Sequence, residues 1–286
     1  MILNLIILIF GVFFCSTAVV MIKISQLDTI FLAGMRQLVA GLILMPIFIH
    51  HYKRSPVPIK AFKQTLLPGI FLGLHFITWI WGARMTPAAN STLIVNLVPV
   101  VMPFLLFFML QEKVTKVEVW ATLLSLAGMF LLTSVDFRLS SDFFLGDMLC
   151  LVSMLFLSVY LALAKHNRHF SSIWLYLVPL YWVGGIFCLI IAMMYLKEVP
   201  PVTFKEIGLV LGLAVLPTIF GHSSLNYAMK HMRGQVVSLL NMGQFLFAGV
   251  LAYVFFNEIP DLLFYPACFL LIVGAVIAIW KHPQDR

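Results

Sequence analysis

His75, His222 and Arg36 lie deep inside otherwise apolar runs of this 286-residue chain. Side chains of these types recognise polar ligands or move protons. An imidazole, with a reference pKa near 6.5, can bind substrate or carry a proton. His222 and Asn226 are four residues apart and share one helix face, as do His75 and Trp79, and Thr92 and Asn96. Ser238, Asn241 and Gln244 step three at a time along another run. A shift of 146 residues carries Thr92 onto Ser238, Asn96 onto the position after Asn241, and His75 onto the position before His222. A polar side chain facing lipid is costly, so four stripes at matching levels are expected to face a shared cavity. Taken singly, each residue also fits an interhelical hydrogen bond made for packing.

Arg36 is the one full charge well inside an apolar run. At the centre of a bilayer such a charge costs roughly 2.5–3.5 kcal/mol on insertion scales. Arg36 is expected about 10 Å below the outer surface, at 1.5 Å per residue. Two roles are open to it: pairing with an anionic or zwitterionic substrate, or snorkelling to the outer interface. All eleven Asp and Glu residues lie in loops or at the ends of apolar runs. Carriers coupled to H⁺ or Na⁺ often hold a buried carboxylate. This chain is therefore expected to couple differently or to run downhill. Two histidines without a third N, S or O ligand do not suggest a metal site, and no cofactor is expected. The four cysteines all fall inside apolar runs and read as small buried side chains.

The elements that must hold these residues follow from composition. The chain is 62% hydrophobic and 10% charged, with mean hydropathy +1.05, against about 45–50% and 25% for soluble domains. A helix needs about 20 apolar residues to cross a bilayer core. That length predicts ten spans, at about 2–22, 29–49, 65–83, 88–110, 118–135, 144–164, 172–195, 206–228, 234–256 and 262–280. The fold class is an all-α multi-pass integral membrane protein. No period-2 alternation supports a barrel. Residues 1–18 resemble a signal peptide in hydropathy but lack a basic leader, and Phe14, Ser16 and Lys23 match Phe156, Ser158 and Lys165; they are expected to remain a helix.

The net charge of +7 does not indicate nucleic-acid binding, because the basic residues are split among loops. With the N-terminus inside, twelve Lys and Arg residues fall in inner loops and the C-terminal tail, against five outside. By the positive-inside rule both termini are expected in the cytoplasm.

The 146-residue shift also pairs Glu112 with Glu258, Gly128 with Gly274 and Arg84 with Lys230. Two halves, 1–138 and 139–286, are expected, each of five spans. Five is odd, so the second half enters the membrane from the opposite face as an inverted repeat. Pro99 and Pro103 should loosen the fourth span. Phe245 stands at the position equivalent to Pro99, which predicts unequal flexing of the two halves. Glu112 and Glu258, on opposite faces, read as gating or structural groups together with Pro99. Gly69-xxx-Gly73 and Gly208-xxx-Gly212 allow close helix packing, expected within a monomer although a dimer is also compatible.

The stretch Thr86-Pro87-Ala88-Ala89-Asn90-Ser91, followed by Val98-Pro99-Val100, Gln111-Glu112-Lys113 and Gly128, resembles the EamA branch of the drug/metabolite transporter superfamily. Tyr227-Ala228-Met229-Lys230, Asn257-Glu258 and Gly274 resemble a second copy of that signature, and Arg36 resembles the arginine of the family's second helix. The resemblance implies a non-enzymatic secondary transporter in a bacterial inner membrane, an exporter of small polar metabolites such as amino acids, working by alternating access. A membrane-embedded enzyme acting on lipid-linked substrates would show clustered carboxylates or a Ser/His pair at one face. A metabolite channel or facilitator would show a selectivity filter or a ring of like charges.

Overall fold

The computed structural model describes residues 2–136, 143–196, 198, 201–256 and 262–280. Glu258, Asn257 and the expected boundary between the halves lie outside the described residues. In chain order the helices are α1 (Ile2–Ser16), α2 (Ala18–Ile24), α3 (Thr29–Arg54), α4 (Leu66–Met85), α5 (Ala88–Val95), α6 (Val98–Leu110) and α7 (Lys116–Asp136). They continue as α8 (Phe144–His166), α9 (Ile173–Tyr195), α10 (Phe204–Leu213), α11 (Ser223–His231), α12 (Gly234–Asn241), α13 (Gln244–Phe256) and α14 (Phe264–Trp280). A 3₁₀ turn, Ile59–Thr65, leads into α4, and a π-helical segment, Ala214–His222, joins α10 to α11. No strand occurs among the described residues.

The expected spans fall on helical stretches. Eight runs among the described residues are long and apolar enough to cross a bilayer, and Phe264–Ile279 is a shorter apolar helix. Large apolar side chains such as Phe104, Phe108, Trp120, Met193 and Phe269 point outward. In water so large an apolar surface would be a liability; against lipid it is the expected exterior. Polar caps stop the helices at the membrane faces. Asp28 Oδ1 accepts from the amides of Ile30 and Phe31 at the start of α3. Thr115 and Glu118 form a reciprocal capping box before α7, with Glu118 Oε2 2.7 Å from the Thr115 amide and Thr115 Oγ1 3.2 Å from the Glu118 amide.

Contacts occur in pairs that an exchange of halves interconverts. α3 lies along α9, and α7 along α14; each pair maps onto itself. α4 lies along α8, and the corresponding pair is α1 against the π segment and α11. Gly128 and Gly274 sit at the α7–α14 crossing: a Cβ on Gly128 would lie 2.8 Å from the Ala267 carbonyl, and one on Gly274 2.8 Å from that of Ala121. Their recurrence in the sequence thus reflects close approach of two equivalent helices. Gly69 and Gly73 press against α9 in the same way, at Leu180 and Cys188. The second GxxxG does so at one residue only: a Cβ on Gly212 would lie 2.8 Å from Met21 Sδ, whereas nothing approaches one at Gly208.

Four expected spans are interrupted, the first of them at Thr17 between α1 and α2. The α5–α6 run breaks at Asn96–Leu97, just ahead of Pro99, which has no amide proton to give. The α12–α13 run breaks at Met242–Gly243, the equivalent level, without a proline. Both runs thus break at positions that the 146-residue shift pairs, although one has Pro99 and the other Phe245. Pro217 explains the π segment. It cannot serve as a donor, and Thr218 Oγ1 bonds the Leu213 carbonyl at 2.8 Å, an i to i−5 link that the widened turn permits.

Candidate functional site

The interruptions converge on a central cavity lined by Cys15, Ala18, Arg36, His75, Trp79, Val95, Leu157, Pro217, His222, Leu225 and Gln244. The space open to the centre of a water molecule is ≈ 20 Å³, enough for about one water. Span 1, span 2 and span 6 contribute walls that the four polar stripes did not announce.

Of the two roles open to Arg36, snorkelling does not fit its 0% exposure. α3 packs along α9 and against α4, so the guanidinium is enclosed before it could reach the surface. Its Nε and Nη2 donate to Thr218 Oγ1 at 3.0 and 2.9 Å, and its Cζ lies 3.9 Å from the centre of the Phe76 ring. Nη1 has no partner. No carboxylate among the described residues pairs with Arg36; Glu112 and Glu118 pair with Lys165 and Arg233 at helix ends.

His75 is held by Ser153 of α8. Nδ1 lies 3.2 Å from the Ser153 carbonyl and 2.7 Å from Ser153 Oγ, which donates to the His75 carbonyl at 3.0 Å. A carbonyl only accepts, so the tautomer that donates from Nδ1 to it leaves Nε2 as an acceptor. The His75 ring stacks on Trp79 at 5.9 Å, and the His222 ring stands edge-on at 6.0 Å from His75. Trp79 Nε1 and His222 Nδ1 are buried without partners. Arg36 Nη1, Trp79 Nε1 and His222 Nδ1 are thus unmet polar atoms on residues lining one cavity. A buried polar atom left unpaired costs about 1–3 kcal/mol, and more if charged.

The remaining stripe residues divide. Gln244 reaches the cavity. Asn96 and Asn241 do not line it; Asn241 Nδ2 donates to Asn96 Oδ1 at 3.0 Å, and Gln244 Nε2 to Asn241 Oδ1 at 2.6 Å. This amide chain joins the two broken runs at the matching level. Thr92 and Ser238 bond carbonyls of their own helices, at Ala88 and Gln235. Asn226 donates to the Tyr160 hydroxyl and, at 2.6 Å, to the His222 carbonyl. Thr218 and Ser153, which hold Arg36 and His75, were not singled out by the sequence. Thr218 lies four before His222 beside Pro217, and that pairing was the available signal.

Both ends of the cavity are latched, and the latches correspond. On the face of Lys23, Lys23 Nζ donates to the Thr86 carbonyl at 3.0 Å, and Arg84 reaches the carbonyls of Ser25 at 2.9 Å and Leu27 at 2.8 Å. Ser25 Oγ and the Gln26 amide add bonds to Glu206 at 2.6 and 2.9 Å. On the opposite face Lys165 donates to the Met232 carbonyl, and Lys230 to that of Phe170 at 2.6 Å. Met232 is the residue 146 after Thr86. Glu112 accepts from the Gly234 amide at 3.2 Å and lies 3.9 Å from Lys165, so it ties one half to the first turn of α12 in the other. Arg233 clasps Glu118 with two bonds, at 2.7 and 2.9 Å. That carboxylate holds the Arg233 guanidinium further above its ordinary range, so the pair is fully formed at any physiological pH. The Pro99 carbonyl accepts from Gln235 Nε2 at 3.1 Å, a second tie between the halves.

The comparisons accord with this arrangement. A crystal structure superposes over 98% of this chain and 98% of its own, with TM-score 0.77 and 16% identity, a likeness of fold. The pseudopaline exporter CntI of Pseudomonas aeruginosa, strains UCBPP-PA14 and PAO1, is 20% identical over 218 residues, covering 76% of this chain and 75% of the relative. The model of the EamA-like transporter family matches twice, at residues 2–134 and 144–280. With both halves matched, the chain belongs to the EamA-like transporter family.

Proposed function

We propose that this protein is a secondary exporter of small carboxylate-bearing metabolites, amino acids or related compounds, working by alternating access across a bacterial inner membrane. It has ten spans in two inverted halves, 1–138 and 139–286, with both termini in the cytoplasm. The observation that carries the reading is Arg36. A buried cation with one hydroxyl acceptor, an aromatic face and an unmet Nη1 lacks a counter-charge, and a substrate carboxylate supplies one. His75 Nε2 and His222 then accept from the ammonium of a zwitterion, while Trp79 and Phe76 form the walls. The exporter among the relatives supports the direction. The family points to transport rather than catalysis.

In this conformation both latches are closed and the cavity holds about one water. Loading requires one latch to open while the other stays shut. Purified protein in proteoliposomes should show saturable counterflow of a labelled amino acid from a panel, driven by excess of the same unlabelled compound. Non-saturable flux without counterflow would indicate a channel and end the proposal.

The histidine pair gives a second expectation. With no carboxylate at the cavity, any proton dependence runs through His75 or His222. The double variant His75→Gln, His222→Gln keeps hydrogen-bonding capacity and removes the titration. Transport should persist several-fold slower with a flat profile between about pH 5 and 8. An unchanged pH profile in the double variant assigns the proton to another group.

A further inference from the structure

A second, smaller cavity of ≈ 10 Å³ lies at the membrane face where α8 ends and α9 begins, lined among others by Asn167, Arg168, Phe170, Tyr176, Asn226 and Lys230. We propose that it is a loading site for carboxylate-bearing substrate on the cytoplasmic side, connected to the central cavity along one face of α11; the cytoplasmic assignment rests on the topology proposed above. Its lining holds two cations and no carboxylate. Asn226 is 3% exposed, and its Oδ1 has no partner. His222, Asn226 and Lys230 recur every four residues, so one helical face runs from the central cavity to this one. The bond from Asn226 to Tyr160 lies between the two cavities and must break for passage.

The repeat supplies an internal control. A shift of 146 carries His222, Asn226 and Lys230 onto Phe76, Ile80 and Arg84. At that opposite mouth Ile80 is apolar and 0% exposed. Arg84 is saturated by the carbonyls of Ile22, Ser25 and Leu27 and by Thr29 Oγ1. Both mouths carry cations bonded to carbonyls, Lys230 to that of Phe170 at 2.6 Å; what differs is the side chain between cation and centre, apolar at Ile80 and an amide with an unmet acceptor at Asn226. A polar substrate has a wetted approach to the centre only at the second.

The test places Asn226→Cys, Ile80→Cys and, at the exposed rim, Arg168→Cys in the native chain with Cys268→Ser, which serves as the blank because Cys268 is the part-exposed native cysteine and Cys15, Cys150 and Cys188 are buried. Inside-out and right-side-out vesicles are treated with membrane-impermeant methanethiosulfonates bearing a sulfonate or a trimethylammonium group, each rate divided by that with free mercaptoethanol. The expected result is modification of Asn226→Cys and Arg168→Cys from the cytoplasmic side, with the sulfonate favoured at least about tenfold. Adding Lys230→Met should remove most of that preference, and Ile80→Cys should stay inert from the outer side. Inertness of Asn226→Cys beside a reactive Arg168→Cys, or absence of a charge preference, overturns the proposal. Anion-favoured labelling only from the outer side overturns the cytoplasmic assignment while leaving the carboxylate reading intact. No substrate is used, so the result is independent of the counterflow assay.

Discussion

Replacing Arg36 by methionine is expected to abolish counterflow and, at the same time, to raise the thermal stability of the empty protein. The first effect follows from the loss of the carboxylate's partner: removing one member of a buried ion pair costs about 3–5 kcal/mol, or roughly 10²–10³ in affinity at 1.4 kcal/mol per tenfold. The second follows from the state without substrate. There the guanidinium has one hydroxyl acceptor and a ring face, with Nη1 unmet. Methionine fills similar space with no charge to desolvate, and Thr218 keeps its bond to the Leu213 carbonyl. Arg36→Lys retains the charge but not the paired contact to Thr218, and should transport at an intermediate rate. Counterflow and a melting curve on the same preparation check this. Native-level transport by Arg36→Met, or a lower melting temperature with no other change, would remove Arg36 from the site.

Replacing Glu118 by glutamine is expected to shift the protein toward the conformation open on the Arg233 face. Glu118 is 1% exposed and receives both bonds of the Arg233 clasp. Neutralising Glu118 weakens both bonds, while the part-exposed Arg233 keeps Glu112 at 4.0 Å, so the cost is about 1.5–3 kcal/mol, or some 10–10² in the closed–open equilibrium. The latch on the Lys23 face is untouched by this change. A spin-label or fluorophore pair spanning α6 and α12 on the Arg233 face should lengthen in Glu118→Gln, while a pair on the Lys23 face should not. Unchanged distances at both faces, in protein that still melts cooperatively, would mean that the clasp is not a latch. Glu118→Gln also loses part of the capping box with Thr115, so Thr115→Ala, which removes the hydroxyl from the cap and leaves both charges of the ion pair in place, is the control for helix fraying.

Much of this protein was legible in its residues taken in order. Apolar runs of bilayer length, separated by short charged punctuation, require helices because lipid leaves no other partner for backbone amides. The recurrence of Gly128 at Gly274 and of Arg84 at Lys230 announced two like halves, and the structure finds the first pair at one helix crossing and the second at two corresponding latches. His75, Trp79, His222 and Gln244, singled out by period and spacing, line the central cavity. All of these are local signals, read within one span or by comparing a span with its copy.

What tertiary structure alone decided is which polar groups meet. Asn96 and Asn241 carry the same stripe signature as Gln244, yet they bond each other instead of lining the cavity. Arg36 reads equally well as snorkelling or as buried until α9 and α4 close around it. The roles of Thr218 and Tyr160 depend on a widened turn at Pro217 and on α8 lying beside α11. The physical reason is one of range. Hydropathy and helical period constrain each residue through neighbours three or four positions away, whereas a hydrogen bond between spans depends on helix rotation, depth and interruption, which packing sets for the assembled bundle.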